Sequence, residues 1–143
     1  MESYDEEYYD MLRACDRLYN ICIQHYRTLR AASRALGYKN ETDLCGRLRV
    51  IRCNLGVHFL CRLCRHFNVS LQSLFFNDNN KFTIKDITYK NFIELYKSCE
   101  CKDSRCSACI TALKAGKCST IPMKYLIFYS KRFGKTIDFL LKG

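Results

Sequence analysis

The stretch Arg65-His66-Phe67-Asn68-Val69-Ser70-Leu71-Gln72-Ser73-Leu74-Phe75 returns sixty-six positions later as Lys131-Arg132-Phe133-Gly134-Lys135-Thr136-Ile137-Asp138-Phe139-Leu140-Leu141. Both copies hold a basic pair, a Phe, a loop residue or two, a hydroxyl residue suited to helix capping, and an apolar pair three residues apart. The same offset sets Val57, Leu60, Cys61 and Leu63 opposite Met123, Leu126, Ile127 and Tyr129. A repeat of this length is one supersecondary unit used twice, so the nature of that unit largely decides fold and function.

The periodicity of the apolar residues is helical almost throughout. Tyr8, Met11, Leu12, Cys15, Leu18, Tyr19 and Cys22 recur at spacings of three and four, which predicts one long amphipathic helix over 6–25. Its acidic first turn suits the positive end of the helix dipole. A short second helix is expected over 28–36, closed by Gly37, then a third over 42–51 capped by Asn40 or Thr42. A fourth over 55–67 and a brief fifth capped by Ser70 complete the first unit, and the polar cluster 77–80 separates the units. In the second unit the corresponding helices fall at 91–99, 107–115, 122–133 and 136–141, with Gly116 ending one and Pro122 in the first turn of the next. The counterpart of the long first helix is missing or reduced to 82–89, as a turn or a short strand. The expected architecture is all-α, with an N-terminal unit over 1–78 and a C-terminal unit over 79–143.

Charge narrows the partners. The chain of 143 residues carries a net +10, and its first twelve residues hold Glu2, Asp5, Glu6, Glu7 and Asp10 with no Lys or Arg. The rest therefore bears 24 basic against 9 acidic side chains, a surplus that favours a polyanion. No apolar run approaches the roughly 18 residues that span a bilayer, and an acidic start is unlike a secretion signal, so no membrane partner and a cytoplasmic location are expected. Eleven Cys is an odd number, which disfavours a disulfide framework. Cys15, Cys22, Cys45, Cys53 and Cys61 fit the apolar spacing as small reduced hydrophobes. Cys99, Cys101, Cys106 and Cys109 are read as plain reduced thiols, with a tetrahedral zinc site, for which they are close enough in sequence, as the alternative, and no cofactor is expected otherwise. His25, His58 and His66 have no ligand-type spacing with carboxylates, and no nucleophile elbow, phosphate loop or dinucleotide fingerprint occurs, so no enzyme is expected.

The run 108–117, Ala-Cys-Ile-Thr-Ala-Leu-Lys-Ala-Gly-Lys, followed by Thr120-Ile121-Pro122-Met123-Lys124-Tyr125-Leu126 and the ending at 133–141, resembles the helix-turn-helix domain of Cro and phage-repressor (XRE) type regulators. A fainter match runs from Arg27 to Phe75, through Ala31-Ala32-Ser33-Arg34-Ala35-Leu36-Gly37-Tyr38, and departs by placing Val50-Ile51 where the second copy has Ala115-Gly116. The resemblance implies two tandem lambda-repressor-like bundles and a sequence-specific transcriptional regulator of double-stranded DNA. One helix of such a module enters the major groove while its neighbours hold the phosphates. On the second copy this assigns Ser107, Ala108 and Thr111 to the base edges, with Arg105, Lys114 and Lys117 at the groove rim or phosphates. On the first it assigns Thr42, Asp43, Gly46 and Arg47 to the groove, with Lys39, Asn40, Arg49 and Arg52 around them, although the Asp43 carboxylate opposes contact with phosphate. Tyr4, Tyr8, Tyr9 and Tyr19 make the first helix a candidate surface for a homodimer, with core burial as the alternative. The competing function is an interaction protein, an antirepressor or adaptor that keeps the helix-turn-helix fold with its recognition surface repurposed.

Overall fold

A computed structural model describes residues 4–50, 55–76 and 78–143. Among these the chain is all-α, with nine α-helices, one π-helical segment and no strand. Helix α1 spans Asp5–Tyr26, α2 Leu29–Ala35 and α3 Asp43–Cys45, the last running on as a π-helical turn over Gly46–Val50. Then come α4 at Val57–Phe67, α5 at Leu71–Phe76, α6 at Lys90–Ser98, α7 at Ser104–Lys114, α8 at Met123–Phe133 and α9 at Ile137–Leu140.

The internal repeat appears as a repeated helical corner. Helices α4 and α8 begin and end sixty-six positions apart, and α5 and α9 begin at the same offset. Each corner opens with a left-handed residue, Asn68 at φ 55° and Gly134 at φ 65°, conformations that Asn and Gly adopt at least cost. In each a backbone N–H then reaches back five residues, Val69 to Cys64 at 3.0 Å and Lys135 to Ser130 at 3.3 Å. In each a hydroxyl caps the next helix, with Ser70 Oγ accepting from Ser73 N and Thr136 Oγ1 from Phe139 N, both at 3.0 Å.

The two corners also cap one another. The Asp138 carboxylate accepts from the backbone N–H of Leu71 at 3.0 Å and of Gln72 at 2.8 Å, at the start of α5. In return the Gln72 side-chain carbonyl accepts from Ile137 N at 2.9 Å, at the start of α9. Gln72 and Asp138 are equivalent positions of the repeat, so this is an exchange of equivalent contacts, as across a two-fold interface. Asp138 is 6% exposed. Burial raises its pKa above the ordinary Asp value even though the amides of Gln72 and Leu71 pull the other way.

Helix α1 binds both corners into one core. Met11, Ala14, Cys15, Leu18 and Cys22 lie on its buried face, within a single apolar cluster that runs from Met11 to Leu141. Toward its N-terminus, Tyr4 packs edge-on against Tyr125 and Phe128 of α8, and Lys131 reaches Glu6 at 2.6 Å and Asp10 at 2.5 Å. Toward its C-terminus, Tyr26 meets His66 of α4 at 2.6 Å, and Arg17 donates to the last carbonyls of α5, where a cation complements the helix dipole. The expected shared role of the four tyrosines divides: Tyr4 and Tyr19 pack inward, whereas Tyr8 and Tyr9 remain 46% and 58% exposed.

Several sequence expectations shift. The third helix, expected over 42–51, is three residues of α-helix followed by the π-helical turn, and Ile51 lies outside the described residues. The seventh starts at Ser104 rather than 107, because Asp103 Oδ1 accepts from Arg105 N at 2.8 Å and Cys106 N at 3.1 Å. Pro122 stands just before α8 rather than within its first turn. Of the two alternatives for 82–89, the strand is not formed: Ile84 and Tyr89 are buried, and Tyr89, at φ 57°, turns the chain into α6. No helix among the described residues is long and apolar enough to cross a membrane.

Candidate nucleic-acid interface

Helix α7 is held by one face. Cys106 is fully buried and Ile110 is 6% exposed, one turn apart, and they dock the helix on the core. Arg105, Ala108, Thr111 and Lys114 lie outward and exposed, as does Lys117 in the following turn. Asp103 fixes the N-terminal end. Burial acts to raise its carboxyl, but the Tyr4 hydroxyl, which donates to Oδ2 at 2.9 Å, and the Cys106 and Arg105 amides hold it below the ordinary Asp value. At the far end Gly116 takes φ 73°, and Lys117 N reaches back to Ala112 O at 2.9 Å. The helix is therefore capped at both ends and presents a preformed outer face.

That face is cationic, and more so than the sequence assignment implied. The charge of Lys97, on α6, is the main cause of the lowered pKa of Lys114 on α7, so the two ammonium groups are neighbours on the surface. Like charges are placed together against their mutual repulsion, which a polyanion would relieve. Lys97 was not singled out in the sequence because it belongs to the preceding helix and only the packing of α6 on α7 sets it beside Lys114. The Asp103 cap did leave a signal, an Asp directly before a helical run.

Two assigned hydroxyls have partners. Ser107 is half-buried, and its Oγ pairs with the Tyr96 hydroxyl, which also donates to Asp103 O at 2.8 Å. Ser107 thereby also holds α7 against α6. Thr111 stays exposed with its Oγ1 donating to Ser107 O at 3.0 Å, which leaves its methyl group and oxygen lone pairs outward.

The first copy is arranged differently. Arg47 lies with its guanidinium 4.7 Å from the Phe59 ring centre, and Arg49 lies 5.6 Å from that of Tyr19. Asn40 Oδ1 accepts from both Thr42 N at 3.0 Å and Thr42 Oγ1 at 2.8 Å, a local turn that satisfies the two assigned side chains together. Arg34 pairs with Glu41 at 3.6 Å, Lys39 is exposed, and Arg52 falls outside the described residues.

The cysteines behave as packing groups. None of the ten described ones is in a disulfide. Burial pushes Cys22 up to about 11 and both Cys61 and Cys106 to about 12, and it raises Cys64 and Cys109 as well, all in the direction of unreactive thiols. Cys45 is half-buried, and Cys53 lies outside the described residues. The zinc expectation finds no support: Cys99 donates its thiol to Tyr96 O at 3.1 Å. Among the described residues no three His, Cys, Asp or Glu side chains converge on a metal position, the Cys99, Cys101, Cys106 and Cys109 set included.

Comparison of the chain with protein-family models, with curated proteins and with solved structures finds no match to any of them. The functional conclusion therefore rests on the residues of this chain.

Proposed function

We propose that the protein is a sequence-specific, double-stranded DNA-binding transcriptional regulator of helix-turn-helix type that reads DNA with α7. One observation carries the proposal: α7 is a doubly capped surface helix whose outer face presents Arg105, Ala108, Thr111 and Lys114, flanked by Lys117 and Lys97. An α-helix fits the major groove, an Arg on it can grip guanine through two hydrogen bonds, and a Thr methyl can contact thymine. The resemblance of 91–143 to Cro and phage-repressor domains agrees with this placement. The exchange of caps between Gln72 and Asp138 supports two related units held in one chain, as paired half-site readers are held in a dimer. Ten cysteines outside any disulfide, together with no helix among the described residues long and apolar enough to cross a membrane, support a reducing, cytoplasmic setting.

Selection from random duplexes, followed by titration of the chosen site at several salt concentrations, tests the proposal. The intact chain should enrich one sequence and lose affinity steeply with salt. Arg105→Ala and Thr111→Ala should each weaken and relax that selection, by about 1 to 3 kcal/mol for the Arg. Full sequence-selective binding by both variants removes α7 from the reading role.

A second function, that of an interaction protein keeping this fold, is favoured by one feature: α7 borders a large pocket with much apolar lining, through Ala108 and Ala112. A protein partner bound there would show little dependence on salt.

A further inference from the structure

A pocket of about 930 Å³ opens between the N-terminal turns of α1, the Ala108–Ala112 flank of α7 and the start of α8. Met11, Ile121, Met123 and Tyr125 are buried side chains that contribute to its wall, and the exposed Tyr8 stands at its edge. Its size and lining are those of a site for a small organic molecule.

One polar group in the lining is out of place. Glu7 is 4% exposed, and its Oε2 is buried without a hydrogen-bond partner. A buried carboxylate oxygen in that condition is costly, and such a group in a native fold calls for a partner. The nearby cation gives Glu7 its charge but no hydrogen bond: Lys131 is bonded to Glu6 at 2.6 Å and Asp10 at 2.5 Å. Lys124, the other cation at the pocket, sits over the Tyr4 and Tyr125 rings at 5.4 and 5.2 Å. Glu7 thus lies among carboxylates, in a chain whose surface is otherwise strongly basic.

We infer that this pocket binds a small amphiphilic amine, whose ammonium group pairs with Glu7 while its aromatic or aliphatic body packs among Met11, Met123, Tyr8 and the alanines of α7. Burial, the largest influence on Glu7, raises its pKa above the ordinary Glu value although its own backbone N–H and the Lys131 charge pull the other way, and a bound cation would offset that cost. The exposed Tyr8 ring at the rim favours the same class of ligand through its electron-rich face. An anionic ligand would meet Glu7 and Asp5 and be repelled, and a neutral one would leave Oε2 unpaired. The site is independent of any reading of DNA, although Ala108 belongs both to its lining and to the face assigned to bases.

The test is calorimetric titration of the intact, reduced chain, without DNA, with 1-naphthylmethylammonium, and with 1-naphthylmethanol as its neutral counterpart. The ammonium compound should bind about tenfold more tightly, the ratio expected of a charge-assisted hydrogen bond. Glu7→Gln should bind both compounds equally, and Ala112→Phe, which fills the pocket, should bind neither. Nuclear Overhauser contacts from the naphthyl ring to Tyr8 and Met123 of the unsubstituted chain locate the ligand without relying on the folding of either variant. Absence of binding, equal affinity of the two compounds for the unsubstituted chain, contacts elsewhere, or a preference that survives in folded Glu7→Gln would each overturn the inference.

Discussion

Helix α7 and the α3–π segment each come just before one of the two offset helices, α8 and α4, yet they use their cations in opposite ways. On α7 the basic groups stand off the surface, Lys114 beside Lys97, with Arg105 and Lys117 exposed. On the α3–π segment Arg47 and Arg49 fold back over Phe59 and Tyr19, and Asn40 and Thr42 satisfy each other. A guanidinium over an aromatic face contributes to stability, whereas clustered exposed ammonium groups cost stability and are suited to a partner. The comparison teaches that a repeat can divide its work, one copy keeping an outward helix and the other spending equivalent charges on packing.

The largest effect should come from the cations of α7. Arg105→Ala, Lys114→Ala and Lys117→Ala combined should lower duplex affinity by roughly two to three orders of magnitude near 0.1 M salt and shrink the salt slope by about 2 to 3. The matching set in the first copy, Lys39→Ala, Arg47→Ala and Arg49→Ala, should cost less than about tenfold. Equal losses from the two sets, measured by fluorescence anisotropy, would break the asymmetry.

Next in size is the exchange of caps. Asp138→Ala should lose about 2 kcal/mol, because one buried and one half-buried N–H group are stranded, and Gln72→Ala about 1 kcal/mol. Urea unfolding of the single and double variants should reveal coupling of at least about 0.5 kcal/mol between these neighbours. Strictly additive losses would mean that the corners do not support one another.

A smaller contrast sharpens the comparison itself. Arg49→Ala should destabilise the fold by about 0.5 to 1 kcal/mol through loss of the Tyr19 contact, whereas Arg105→Ala should stay within about 0.5 kcal/mol. Thermal unfolding of the two variants measures both.

The smallest effect concerns pH, where two aspartates carry opposite signs. The folded Asp103 carboxyl lies below its ordinary value, so its contribution is present above that ordinary value and fades as pH falls through the lowered one. The Asp138 carboxyl lies above its ordinary value, so the folded chain holds that proton more tightly and stability falls as pH rises through the interval between the two. Asp103→Asn should therefore flatten the loss of stability in acid, and Asp138→Asn should remove an opposing slope. Urea unfolding from about pH 3 to 7 separates them, since that range brackets ordinary carboxylate titration.

Much of the helical order was legible. The offset of sixty-six places α4 against α8 and α5 against α9, and the caps Ser70 and Thr136 could be named from hydroxyls ahead of apolar pairs. These features are local, since periodicity and capping chemistry act over three to five residues. Legibility failed where two signals competed. The start of α7 lies three residues before the expected one because the Asp103 cap competes with the crowded cysteines that follow it. The third helix was drawn too regular because nothing in Gly46–Val50 announces a π-helical turn.

The sequence by itself determined an all-α chain, the register of its repeat and the presence of a surplus of cations. Tertiary packing alone decided which of those cations face outward, that Gln72 and Asp138 cap each other's helices, and that Glu7 is enclosed beside a pocket with its Oε2 unbonded. The reason is the range of the interactions. A helix is specified by neighbours a turn away, but the fate of an exposed-looking charge depends on which ring, amide or carboxylate a different helix brings to it, sometimes from as far as the ninety-nine positions that separate Tyr4 from Asp103.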